Sequence, residues 1–217
     1  IIFTFIFGKV AKLPSEGSAP YAVLVFTGML PWQFFSSALS GCADSLIVNS
    51  NLLTKVYFPR IIVPSAAVIT SLIDFLISFV ILCALMVYFQ WPPSWRILTL
   101  LIWSFLCLAA SIGAGLWLAG LNVKYRDFMY VVPFLIQLGL YISPVGFSSS
   151  LIPDHWRLIY SLNPMVVVIE GFRWAIIGNV ALGRMPCLFI SLFVIIIMLI
   201  TGIKNFRKIE RSLADII

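Results

Sequence analysis

Residues 61–89, IIVPSAAVITSLIDFLISFVILCALMVYF, carry a single charge, Asp74. At ~1.5 Å of rise per residue, a helix of this length exceeds the ~30 Å hydrocarbon core of a bilayer. A run this apolar has no side suited to water, so it reads as a transmembrane helix. The rest of the chain has the same character. Of its 217 residues 62% are hydrophobic and 10% charged, and the mean hydropathy is +1.09. These proportions predict an all-α integral membrane protein.

Working outward, residues 21–48 form a long span interrupted by Gly28 and Pro31. Residues 97–121 form an uncharged span, 128–142 begin another, and 185–203 form the last. Residues 1–8 lack an initiator Met and the basic flank of a signal peptide, and read as the end of a truncated helix. Short basic loops then fix the topology. Lys55, Arg60, Lys124, Arg126, Lys204, Arg207, Lys208 and Arg211 fall on the cytoplasmic side; Lys9, Lys12, Arg96, Arg157, Arg173 and Arg184 face outward. The net charge of +6 therefore sits at the ends of hydrophobic runs, where it meets anionic lipid and not nucleic acid. Cys42, Cys83, Cys107 and Cys187 are scattered singly, with no CxxC pair, and read as small apolar residues.

Residues 49–60, NSNLLTKVYFPR, are a polar and basic island between two spans. Asn49 or Asn51 can cap a helix; Leu52, Leu53, Val56 and Tyr57 share one face, and Pro59 ends the turn. Such a helix suits docking onto a soluble partner at the membrane surface, and an ordinary basic loop is the alternative. Residues 143–184 must cross an even number of times if the basic tail is to stay inside. Pro144, Pro153, Asn163, Pro164 and Gly171 favour two half-helices that enter from outside and return. Irregular backbone at membrane depth is tolerated only against protein or a water-filled path, so this re-entrant hairpin points to a gate, or to a plug in a helix bundle. Glu170 and Arg173, one turn apart, are expected to pair near the outer surface, either with each other or with a partner subunit. His155, the only histidine, reads as a loop residue.

Asp74 lies mid-span, where an unpaired charge costs about 2.5–3.5 kcal/mol on insertion scales. With Thr70 and Ser78 it makes a polar stripe that lines a hydrophilic path or bonds a neighbouring helix. Asp44, at the cytoplasmic end of its span, is easier to hydrate. Ser111, Gly115 and Ala119, with Gly113 alongside, allow another helix to approach closely, from the same chain or from a second copy. Tyr88, Phe89, Trp91 and Trp95, with Trp156, Tyr160, Phe172 and Trp174, form an interfacial belt or stack against sugar rings.

Five motifs occur in order: LPWQFF at 30–35, NSNLLTKVYFPRIIVP at 49–64, LNVKYRDF at 121–128, SPVGF at 143–147 and LNPMVVVIEGFRWAIIG at 162–178. Together they resemble the membrane subunit of ABC exporters for O-antigen, capsular polysaccharide or teichoic acid. The resemblance implies a six-helix half-transporter in the bacterial cytoplasmic (inner) membrane, dimerising and pairing with two separate nucleotide-binding subunits to move a lipid-linked polysaccharide. It implies a coupling helix at 49–60, using Asn51, Leu52, Leu53, Thr54, Lys55, Val56, Tyr57, Phe58, Pro59 and Arg60. It also implies a gate or channel comprising Asp74, Pro144, Trp156, Tyr160, Asn163, Pro164, Glu170, Arg173 and Trp174. Family members carry an N-terminal amphipathic helix and a full first span, of which only the end is present here. Independently, the chain has no GxxxxGK[ST] phosphate loop, so ATP and Mg are expected on the partner and no cofactor on this chain. The alternatives are a drug or lipid efflux permease, a proton-driven transporter using Asp74, and a membrane transferase, for which Asp154 with His155 is too small a cluster.

Overall fold

The computed structural model describes residues 20–55, 59–91, 94–125, 127–147, 149, 152–153, 155–178 and 185–213. In chain order its helices are α1 (Tyr21–Val48), α2 (Ser50–Lys55), α3 (Ile62–Tyr88), α4 (Leu100–Lys124, entered through a 3-10 turn at Trp95–Thr99), α5 (Phe128–Ile142), α6 (Arg157–Tyr160), α7 (Pro164–Ile177) and α8 (Met185–Leu213). Among the described residues four segments are long and apolar enough to cross a membrane: Tyr21–Val48, Ile62–Tyr88, Trp95–Lys124 and Pro186–Glu210.

Three boundaries differ from those read in the sequence. The span expected at 97–121 starts earlier and runs on to Lys124. The last span, expected to stop at 203, continues as one helix to Leu213, because KNFRKIERSL contains no Gly or Pro and keeps Phe206 buried on the face of the apolar residues above it. α5 has 15 residues, about 22 Å of helix, which is short of a full crossing. Residues 1–8 lie outside the described residues.

In lipid, apolar side chains gain little by leaving one hydrocarbon for another, so helix packing depends on close fit and buried hydrogen bonds. α1 is the hub, packed against α3, α4, α5 and α7. Pro31 sits within it, and the Cys107 thiol of α4 reaches the Pro31 carbonyl at 3.5 Å. α4 joins α1 to α8. A Cβ on Gly115 would fall 2.7 Å from the side chain of Cys42, and one on Gly113 would fall 2.7 Å from the Leu199 backbone nitrogen. The small residues of α4 are thus consumed inside the protomer. The close helix approach expected at this stripe is made by α1 and α8.

α7 is enclosed by α1, α4 and α8, with every residue buried except Pro164 and Trp174. Phe172 meets Phe75 of α3 edge-on, ring centroids 6.1 Å apart. α5 is the opposite case, with Val132 its only buried residue.

Candidate functional site

The segment after α5 is built around α7. Asn163 caps it, its side-chain oxygen accepting from the Met165 N–H at 3.0 Å, and Pro164 occupies the first turn, where its missing N–H costs nothing. Gly178 closes the helix at φ +83°, a left-handed conformation in which a side chain would be strained and would also meet Arg96. The Asn163 amide donates to the Ser143 hydroxyl at 2.9 Å, tying the start of α7 back to the end of α5. Ser191 of α8 donates to the Ser161 carbonyl at 2.7 Å.

Ser143, Pro144 and Val145 are buried in the turn leaving α5, where backbone carbonyls need donors. Three successive carbonyls receive them from side chains. Arg173 donates through Nη2 to Val145 at 2.9 Å and through Nη1 to Phe147 at 2.8 Å, and the Tyr21 hydroxyl donates to Gly146 at 2.9 Å. Gly28 of α1 backs this clamp, since a Cβ there would lie 2.7 Å from the Val145 oxygen. Arg173 is 0% exposed. The guanidinium of the arginine expected on the outer side is thus turned into the protein by the Val145 and Phe147 carbonyls. Glu170, one turn earlier, is also buried, and Tyr160 lies within electrostatic reach of both charges.

The aromatic residues expected at the gate divide into two groups. Trp174 lies under the Arg96 guanidinium at 5.3 Å, and Arg96 also holds the Gly178 carbonyl, while Trp91 donates to the Ile176 carbonyl at 3.2 Å. The end of α7 is thereby fastened to the α3–α4 connection. Trp156 is exposed, whereas the Tyr160 hydroxyl is buried without a partner among the described residues.

Asp74 is not brought to this cluster. It is exposed, roughly a quarter turn round from the face that buries Val68, Phe75, Leu82 and Met86. Thr70 is exposed beside it and bonds within its own helix to the Ala66 carbonyl. A polar face that sequence reasoning passed over lies on α1. Gln33 is exposed, and Ser36, Ser37, Ser40 and Asp44 are partly so, on a helix whose other faces are core. Their spacing of i, i+3, i+4, i+7 and i+11 was available as a signal but was diluted by the apolar residues between them. Asn122 of α4 donates to the Asp44 carboxylate at 3.2 Å and to the Ala43 carbonyl at 3.0 Å, fixing the Asp44 end of that face.

Between α1 and α3, the helix expected at 49–60 is shorter, spanning Ser50–Lys55, with Ser50, Leu52 and Lys55 exposed. Pro59 and Arg60 lie beyond it, outside the helix. Val56, Tyr57 and Phe58, and the side chains of Asn51, Leu53 and Thr54, lie outside the described residues, so of the expected docking face only Leu52 is placed. Pro59 nonetheless starts the next helix, its carbonyl accepting from the Ile62 N–H at 3.1 Å.

A helical chain with four spans, a buried, clamped turn and a short exposed helix between two spans can be compared with known proteins. Residues 1–177 match the family described as ABC-2 type transporter. The chain belongs to that family. Among ABC-2 relatives, it is similar to the O-antigen export system permease protein RfbA of Myxococcus xanthus, at 32% identity over 156 residues, covering 70% of this chain and 60% of that protein. A protein of the same name from Klebsiella pneumoniae is 28% identical over 227 residues, covering all of this chain and 84% of the relative. The polysialic acid transport protein KpsM of Escherichia coli is 23% identical, covering 89% of this chain and 75% of the relative. The ABC-2 match ends with α7, and α8 follows it.

Proposed function

We propose that this ABC-2 chain is the permease subunit of an ATP-driven exporter carrying lipid-linked polysaccharide across the bacterial inner membrane. The relatives named for O-antigen export and polysialic acid transport supply the substrate class. The observation that carries the reading is the polar face of α1. Hydroxyl, amide and carboxylate groups at Gln33, Ser36, Ser37, Ser40 and Asp44 lie exposed or half-exposed along the central span, where lipid is a poor neighbour and a polyhydroxylated chain a good one. Two copies enclose the path, each a six-helix half-transporter, and two nucleotide-binding subunits hold ATP and Mg below. The short α2 docks into them.

The α6–α7 hairpin serves as the outer gate, entering from outside and returning. Supporting this, the end of α7 is fastened to the α3–α4 connection, while its start is bonded near Ser191, about 9 Å along α8 from Met185. Arg173, Asn163 and Pro144 hold the hinge, and Trp156 and Trp174 face its rim.

Reconstitution tests the whole reading. The chain alone in vesicles is expected to move nothing uphill, and with its nucleotide-binding subunits it exports only when ATP is supplied. Leu53→Asp combined with Tyr57→Asp is expected to abolish both the stimulation of ATP hydrolysis and export, with membrane insertion intact. Sustained pumping by the chain alone, or unchanged coupling in the double variant, overturns it.

Asp74 is proposed to face the same hydrophilic route. No hydrogen bond or ion pair reaches its carboxylate among the described residues. Asp74→Asn is therefore expected to leave stability within about 0.5 kcal/mol of the parent while lowering export several-fold. Loss of folded protein, measured by thermal unfolding, would instead give Asp74 a packing role.

A further inference from the structure

α3 begins without a cap of its own. Ile61 precedes it with helical backbone and no capping side chain, and no acidic residue lies in its first turn. Its first N–H groups are met by the turn before it, Ile62 and Val63 donating to the Pro59 and Arg60 carbonyls. α8 holds that turn in place. Oε1 of Glu210 accepts from the Arg60 backbone N–H at 3.1 Å, and the Arg60 guanidinium donates to the Glu210 carbonyl at 3.3 Å. These reciprocal contacts join residues far apart in the chain. Glu210 is the only acid in KNFRKIER, residues 204–211, and this basic tail turns its one carboxylate to the turn that leads into α3.

The tail making this contact is itself held firmly. Phe206 is 1% exposed, and Ile209 lies against Gly120 at the end of α4. α2, by contrast, packs on α1 and turns Ser50, Leu52 and Lys55 outward. Arg60 is the point at which the chain leaving α2 is first tied to another element by side-chain hydrogen bonds among the described residues.

We propose that Glu210 is a positioning residue for force transmission: by holding the Arg60 backbone N–H in the turn that leads into α3, it sets how α2 is presented to the nucleotide-binding subunit. It also delivers the resulting movement to the α4–α8 pair as well as to α3. The inference rests on the reading of α2 as the docking helix. Without this brace the connection after α2 gives way, and hydrolysis proceeds with less transport.

The test compares variants in the full exporter complex, in cells of the source strain, reading surface delivery of the host's own lipid-linked glycan against ATP hydrolysis at equal amounts of assembled complex. Glu210→Ala is expected to lower glycan exported per ATP roughly threefold to tenfold. Glu210→Gln, whose amide oxygen still accepts from the Arg60 N–H, is expected to keep the parent ratio. Glu210→Asp, charged but too short to reach, is expected to fall with Ala, and it carries the test if the Ala variant does not accumulate. A parent-like ratio in Ala or Asp, or a Gln variant as poor as Ala, overturns the proposal. The Leu53→Asp, Tyr57→Asp variant separates the two readings. If it uncouples while Glu210→Ala does not, only the brace fails; if it has no effect, the docking reading itself fails.

Discussion

Arg173→Ala is expected to cost about 3–5 kcal/mol of stability and to deplete the membrane of folded protein. The side chain is fully buried, and its two donors satisfy the Val145 and Phe147 carbonyls in a turn whose residues 143–145 are themselves buried. Removing it leaves the buried Val145 oxygen without a donor, at about 1–3 kcal/mol, takes the donor from the half-buried Phe147 oxygen, and empties a fully buried side-chain site. Lysine keeps the charge but offers one compact ammonium where a planar fork spans two carbonyls, so Arg173→Lys should fall between Ala and the parent. Tyr21→Phe removes the single bond to Gly146 and should cost about 1 kcal/mol. Thermal unfolding of detergent-purified protein, with the membrane-inserted amount, gives the ranking. Parent-like stability in the Ala variant would mean that the turn is held by something other than this clamp.

The second large effect is expected at the α4–α8 crossing. Gly202 faces the Gly113 carbonyl, and a Cβ on Gly113 would lie 2.8 Å from the Met198 carbonyl carbon. These neighbours are backbone, which cannot rotate away as a side chain can. Gly202→Ala or Gly113→Ala must therefore separate the helices and lose contacts along their length, at about 1–3 kcal/mol each. The effects should not add, because the first substitution already opens the gap that the second would need. Gly41→Ala is the control: its Cβ would sit 3.5 Å from Ala67, an ordinary contact, and stability should be unchanged. Equal melting temperatures for Gly202→Ala and Gly41→Ala would contradict the close approach.

Features set by local composition were legible before the structure. The transmembrane character of residues 61–89 needs only the count of apolar residues against the bilayer thickness, and α3 occupies nearly that range. Asn163 followed by Pro164 announces a helix start by itself, and α7 begins there. The extension of α8 to Leu213 was missed because charge was taken as the end of a span, whereas charge ends burial in lipid without ending a helix.

The sequence by itself determined that this chain is an all-helical membrane protein with a short polar helix between its first long spans, because hydropathy and turn residues act over neighbours in the chain. Only the tertiary structure decided where the charges go. Topology assigns Arg173 only a side of the membrane, and the packed fold buries it against carbonyls that lie 26 and 28 residues away. Glu210 reads as one acid in a basic tail, yet it holds the backbone N–H of Arg60, 150 residues earlier. Such partners are chosen by unsatisfied backbone groups that only the packed helices bring within reach, so no local pattern records them.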